Sequence, residues 1–182
     1  MLFRVVEQGV QLDNREVFMS IPRTIKEYLS RKDVSYSSKN HPLAFTAQEI
    51  AAADHIPGRE FAKTVVLRAG DRLVMAALRA DHVINMEALK TGIGCHKLAL
   101  ASETEFAQQF PGCEPGAMPP FGKLYGLPLY CDMALAKQAE IEFNAGTHID
   151  TVRMRFSEFV RIEDPLMLDF SEQSTRRRAR VA

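Results

Sequence analysis

Apolar residues first recur at helical spacing at Ile21, Ile25, Tyr28 and Leu29. With Ser20 as a capping hydroxyl and Pro22 in the first turn, where a missing N–H costs nothing, this predicts a helix to about Lys32. Val34 to Ser38 follows as a short strand. Thr46 precedes Glu49 by three residues, a capping box, with Phe45 and Ile50 at the positions of a hydrophobic staple. A second helix therefore starts here and stops before Pro57-Gly58. Thr64–Arg68 and Leu73–Leu78 are β-rich runs around the turn Ala69-Gly70-Asp71, which predicts a hairpin. Beyond it the pattern gives a short helix at Asn85–Lys90 and a short strand at Lys97–Leu100. Ser102 and Glu105 form a second capping box, opening a helix to about Phe110. Strands near Leu127–Cys131, Ala139–Phe143 and Thr151–Arg155 precede a last short helix at Ser157–Val160.

Between Pro111 and Gly126 the texture changes. Four prolines and four glycines in sixteen residues exclude regular structure there, and a loop of that length inside a compact domain usually serves function. Hairpins mixed among helices, with no strand–helix–strand alternation, predict an α+β fold rather than a doubly wound one. No internal repeat or second domain is visible. The expected division is an extension at residues 1–20, one domain at 21–163 and a flexible tail at 164–182.

Composition narrows the setting. A chain of 182 residues buries roughly 70% of its unfolded surface and folds without staples. Cys95, Cys113 and Cys131 are odd in number and widely spaced, which is not a disulfide framework and suits a reducing compartment. Arg4, Glu7 and Gln8 interrupt the start before a signal peptide could build up, and the longest apolar run, Leu73–Leu78, is too short to span a bilayer. A cytoplasmic protein with no membrane partner is expected. Lys+Arg and Asp+Glu balance at 23 each, without the basic excess of a free-standing nucleic-acid binder. Any role on RNA must rest on a local patch or on a short end of the RNA. The basic run Arg176-Arg177-Arg178-Ala179-Arg180 reads as a solvated tail or as an RNA contact.

Familiar catalytic signatures are absent. There is no Walker A loop, and Gly92-Ile93-Gly94 lacks the third glycine and the preceding strand of a dinucleotide site. No Cys-x-x-Cys or His-x-x-x-His pair supports a metal, and neither metal nor cofactor is expected. Cys95 and His96 are adjacent, but neighbours on a strand point to opposite faces. Three features stand out. Lys63 opens an apolar strand after Phe61-Ala62, either as a solvated cation or as a site residue. Pro115-Gly116-Ala117-Met118-Pro119-Pro120-Phe121-Gly122 is either a rigid turn or a loop presenting backbone N–H groups to an anion. Asn144-Ala145-Gly146-Thr147-His148 is a glycine turn carrying a histidine, exposed or in a site.

In this order the three features resemble the YbaK/prolyl-tRNA synthetase-type editing family of aminoacyl-tRNA deacylases. The carriers are Ala62-Lys63-Thr64, the Gly-x-x-x-Pro loop Gly116–Pro120 and Ala145-Gly146-Thr147-His148, with His41-Pro42 ahead of the first capping box. The likeness runs from about Pro22 to Ile162. It implies a mixed, mainly antiparallel, barrel-like sheet core flanked by short helices. It also implies hydrolysis of the ester between a wrong amino acid and the 3′ end of a tRNA, by a free-standing protein or a domain inserted in prolyl-tRNA synthetase. By position, Lys63 would hold the phosphate or carbonyl end of the acylated adenosine. Gly116, Ala117, Met118, Pro119 and Pro120 would supply backbone donors to the ester oxygen and place a water. His41, Thr64, Gly146 and His148 would line the substrate pocket. The implied partners are the aminoacyl-tRNA 3′ end and an aminoacyl-tRNA synthetase. Thr64 stands where the alanine-specific branch commonly has asparagine, and Met118-Pro119-Pro120 where many relatives have Ser-Pro-Phe, which leaves the amino acid open. The alternative is a non-catalytic module that reads a nucleotide or aminoacyl group in the same pocket.

Overall fold

The computed structural model describes residues 21–44, 46–53 and 56–174. The Ser20 cap, the Phe45 half of the staple, the 1–20 extension and the arginine run at 176–180 lie outside these residues. The chain runs through α1 (Arg23–Arg31), β1 (Tyr36–Asn40), α2 (Ala47–Ala53), β2 (Ala62–Ala69), β3 (Arg72–Arg79), β4 (His82–Ile84), α3 (Met86–Ile93) and β5 (Leu98–Leu100). It continues with α4 (Glu103–Phe106), α5 (Gly122–Tyr125), β6 (Leu129–Asp132), β7 (Glu140–Asn144), β8 (Asp150–Arg155), α6 (Phe156–Glu163), β9 (Leu166–Leu168) and β10 (Ser171–Gln173). Strands and helices are interspersed, an α+β fold.

The hairpin is the spine. β2 and β3 pair in full antiparallel register from Ala62↔Arg79 to Ala69↔Arg72. They sit inside a five-stranded sheet of order β5-β2-β3-β6-β9, in which β3–β6 and β6–β9 are parallel. A strand with neighbours on both edges and cover on both faces must be apolar throughout. Alternate residues of β3 serve the two sides: Met75 and Ala77 join the main core with Ile25, Leu29, Phe121 and Phe143. Val74, Ala76 and Leu78 face the smaller core of Leu89 and Phe170. A three-stranded antiparallel sheet, β1-β8-β7, meets the larger sheet through the parallel bridge Phe61↔Glu142. Among the described residues these sheets do not close into a barrel.

The first capping box forms: the Glu49 N–H donates to Thr46 Oγ1 at 3.2 Å and the Thr46 N–H to Glu49 Oε2 at 3.1 Å. It sets α2 over the start of β2, where Ile50 and Ala51 pack with Phe61 and Ala80. At the second, Glu105 accepts from the Ser102 N–H at 2.7 Å, but α4 is one turn long and continues to Gln109 as a 3₁₀ turn. The proline- and glycine-rich loop, expected to lack regular structure, holds the single helical turn α5, with Gly126 at its C-cap in the left-handed region at φ 67°. Among the described residues no helix is long and apolar enough to cross a membrane.

Part of the segment expected as a tail, up to residue 174, takes part in the sheets, and residues 175–182 lie outside the described residues. Residues 166–168 pair with β6, and 171–173 pair antiparallel with β4. Between them Phe170 is 1% exposed, and its N–H donates to the buried Asp132 carboxylate at 2.9 Å. The sequence pattern misses these two three-residue strands, and β4 with them, although it finds the equally short β5. Removing the Phe170 ring leaves a cavity in the smaller core. We expect Phe170→Ala to lower the unfolding free energy by about 3–5 kcal/mol, measured as a shifted urea midpoint at unchanged slope.

Candidate functional site

Lys63 sits second in β2, opposite Leu78 in the hairpin register. Its side chain passes over the end of β3, and the ammonium donates to the carbonyl oxygens of His82 at 2.5 Å and Ala80 at 3.4 Å. The Ala80 carbonyl also accepts from Gln48 Nε2 at 3.2 Å, tying the first turn of α2 to the same spot. Burial lowers the Lys63 pKa below the ordinary lysine value, and the Asp81 carboxylate opposes that shift.

Two cavities meet at this lysine. The larger, about 770 Å³, is lined by Lys63, Ala47, Gln48, Ala80, Val83 and Gln173 among others. The smaller, about 170 Å³, is lined by Ala47, Phe61, Ala62, Lys63, Thr64, Gly116, Met118 and Asn144. Lys63 and Ala47 line both.

The Gly116–Pro120 segment reaches the smaller cavity at two of its five residues. Its prolines have no N–H, and the Ala117 N–H is already spent on the Glu114 carbonyl at 3.0 Å. That leaves Gly116 and Met118, the two that line the cavity, with backbone N–H groups unpartnered among the described residues. Gly116 turns the chain at φ 85°, where a side chain would be strained. Ala117, Met118, Pro119 and Pro120 are buried and anchor the loop from behind.

The late glycine turn holds that loop in place. The Gly146 N–H donates to the Ala117 carbonyl at 2.9 Å, and the Glu114 N–H to the Gly146 carbonyl at 2.8 Å. The His148 N–H donates to Glu114 Oε2 at 2.7 Å, and His148 Nε2 lies 2.9 Å from the Pro115 carbonyl oxygen. A Cβ on Gly146 would stand 2.7 Å from Pro22 Cδ, so this glycine admits the start of α1. His41 is buried, with Nδ1 2.8 Å from the Pro42 carbonyl oxygen and its N–H donating to Ile149. Gly146, His148 and His41 thus surround the loop and its neighbouring turn but line neither cavity. Lys63, Thr64, Gly116 and Met118 do come together.

Asn144 was missed by the sequence reading. It ends β7, is 8% exposed and lines the smaller cavity, and among the described residues its Oδ1 has no hydrogen-bond partner, as is also true of Thr64 Oγ1. In the sequence it is simply the residue before a glycine turn; only its burial without a partner marks it.

A cysteine nucleophile has little support in this geometry. Burial pushes the Cys131 thiol up to about 12 and also raises that of Cys113, so both stay protonated at neutral pH. The arrangement offers a cation, two free backbone donors and a small polar-walled chamber, which suits stabilising an oxyanion more than launching a nucleophile.

A family model described as an aminoacyl-tRNA editing domain matches residues 41–162, well over half of the chain. The chain is 36% identical over 104 residues to a proline–tRNA ligase of Heliobacterium modesticaldum, covering 56% of this chain and 17% of that enzyme. It is 35% identical over 98 residues to the multifunctional Ser/Thr-tRNA deacylase ProXp-y of Escherichia coli K12, covering 53% of this chain and 58% of the relative. It thus spans less than two thirds of either protein. In fold it is similar to the crystal structure of a candidate trans-editing enzyme for prolyl tRNA synthetase, with TM-score 0.71 at 20% identity, over 82% of this chain and 96% of that one.

Because burial lowers the Lys63 pKa and Asp81 raises it, the lysine loses its proton at a pH below the ordinary lysine value. Asp81→Asn removes the opposing carboxylate, so the titration moves lower still. Nitrogen-detected NMR of the Lys63 ammonium reads both midpoints; a wild-type midpoint at the ordinary lysine value contradicts the burial argument.

Proposed function

This chain belongs to the aminoacyl-tRNA editing domain family, and from that premise we propose that it is a deacylase that hydrolyses the ester of a mischarged tRNA at its 3′ end. The observation that carries the reading is Lys63 lining two cavities at once, one with ample room for a nucleoside and one with room for a small acyl group. In this reading the terminal adenosine occupies the larger cavity and the aminoacyl group the smaller. Lys63 holds the phosphate or carbonyl end where the two meet. Water adds to the ester carbonyl, the carbonyl oxygen gathers negative charge, and the free N–H groups of Gly116 and Met118 receive it. The bond to the ribose oxygen then breaks, releasing the amino acid and a tRNA with its hydroxyl restored.

No strong nucleophile is needed, because an aminoacyl ester is already activated. One well-placed oxyanion donor contributes on the order of 10²–10³ in rate, and holding water and ester in attack geometry adds to that. Thr64 and Asn144 give the smaller cavity its polar wall. Pro119 and Pro120 stiffen the loop, Ala117 and Gly146 fix it by their mutual hydrogen bond, and His41 and His148 hold its surroundings. We place the protein in the cytoplasm, acting free-standing behind an aminoacyl-tRNA synthetase, with prolyl-tRNA synthetase the first to examine.

The test is a timed release assay on tRNA(Pro) charged with alanine, serine, threonine or cysteine. One or two esters should be cleared by the wild type, and Lys63→Ala should fold normally while losing at least about 10²-fold in kcat/KM. A fully active Lys63→Ala removes the lysine's role. Well-folded wild type that clears none of a broad panel points instead to a module that binds the acylated end without turning it over.

A further inference from the structure

A buried acid stands outside both cavities. Glu163 ends α6, one residue past the family match, and is 2% exposed. One of its carboxylate oxygens accepts from the Tyr28 hydroxyl of α1 at 2.6 Å, and the other from the Lys123 N–H of α5 at 2.9 Å. Burial raises the Glu163 pKa, while both hydrogen bonds and the nearby Lys123 and Lys32 ammonium groups oppose that shift. Burying a carboxylate costs free energy unless its oxygens are hydrogen-bonded, and apolar residues are favoured in such a place on stability alone. What the carboxylate provides here is its bond to α5.

That helix is a single turn, too short to satisfy its own first N–H groups. Glu163 gives one of them an acceptor from another helix. The turn also follows directly on the loop that faces the smaller cavity. Phe121 joins the two, its N–H donating to the Pro119 carbonyl at 2.8 Å. The Phe121 ring is fully buried, with the Tyr28 and Phe143 rings 5.4 Å and 5.3 Å away between centroids. Phe143 in turn precedes Asn144, which lines the smaller cavity. Gly122 has no room for a side chain, since a Cβ would stand 2.6 Å from the Leu127 carbonyl oxygen. The loop is thus held at both feet, by Glu114 and Gly146 before it and by Phe121 and Glu163 after it.

We infer that Glu163, together with Tyr28, is a positioning residue for hydrolysis, fixing where the Gly116 and Met118 N–H groups stand at the smaller cavity. This rests on the deacylase reading, which gives those N–H groups the developing negative charge. It adds that a carboxylate touching neither cavity governs the chemical step. Donors slightly out of place still admit the ester but stabilise its transition state less. The effect therefore falls on kcat rather than on KM.

Glu163→Leu, Glu163→Gln and Tyr28→Phe test this beside wild type, on the mischarged tRNA that wild type clears fastest. The Gly116 and Met118 amide signals are followed by NMR in the same proteins. Glu163→Leu leaves the Lys123 N–H without its acceptor. It should lose at least about tenfold in kcat with little change in KM, and both amide signals should move. Glu163→Gln keeps both bonds, its amide oxygen accepting from the Lys123 N–H and its amide nitrogen donating to the Tyr28 oxygen. It should restore kcat close to wild type. Tyr28→Phe removes one hydroxyl and decides the matter where Glu163→Leu does not fold; it should lower kcat and move the same signals. Wild-type kcat in either folded variant, or amide signals that stay in place, overturns the inference and leaves the deacylase reading standing. A change in KM alone, or a Glu163→Gln as impaired as Glu163→Leu, overturns it as well. Wild type that clears no ester overturns the deacylase reading and the positioning role with it.

Discussion

A lysine ammonium cannot be drawn into a protein without partners, and the placing of Lys63 organises everything around it. Burial disfavours its charged form. Two carbonyls of the turn after β3 offset that cost, and one of them is shared with Gln48. The partners are in reach because the hairpin register sets Lys63 opposite Leu78, two residues before Ala80. A slip of one residue would exchange the faces of the whole strand and turn the lysine away from that turn. The apolar run of β3 prevents such a slip, since both its faces are already committed to cores. Hydrophobic patterning in the hairpin thus fixes the position of a charge at its end.

The same turn is held from the far end of the chain. β4 has a carbonyl on Lys63 and its backbone on β10, and β10 is kept in place by the buried Phe170. A second brace acts on the loop opposite. The backbone bonds between residues 114–117 and Gly146, with α1 seated against Gly146, leave that loop little freedom. Rigidity is a requirement here. Backbone donors accelerate a reaction only when they stand ready where charge will develop, with no reorganisation as it does. Gly146 and His148 therefore contribute by holding the loop that faces the cavity.

Local signals read well from the sequence. Both capping boxes, the Gly70 turn and the Asn85 helix start follow from short-range chemistry, and each lies within a residue or two of its expected place. What escaped is what depends on distant partners. β9 and β10 exist because β6 and β4 present open edges to them. The single turn α5 hides in a composition that predicts a loop. In the candidate site, Lys63, Thr64, Gly116 and Met118 were expected from the family resemblance of their motifs, because local strand and loop chemistry alone left Lys63 and the loop open between a site and a bland role. Asn144 was not, because its meaning lies in being buried without a partner beside residues far away in sequence. His41, Gly146 and His148 were recognisable as a pattern, but only their contacts separate bracing from lining.

The balance of charge fits the shape of the candidate site. Non-specific grip on a nucleic acid comes from many cations on many phosphates. The candidate site has Lys63 as the one cation among the residues lining either cavity, which suits contact with a short end rather than with many phosphates. A chain with equal numbers of acidic and basic residues is compatible with this, because an end offers few phosphates to neutralise. The cost of that design is precision. The lysine, the loop and the C-terminal strand meet there, and the two cavities draw on residues from Thr46 to Ser174.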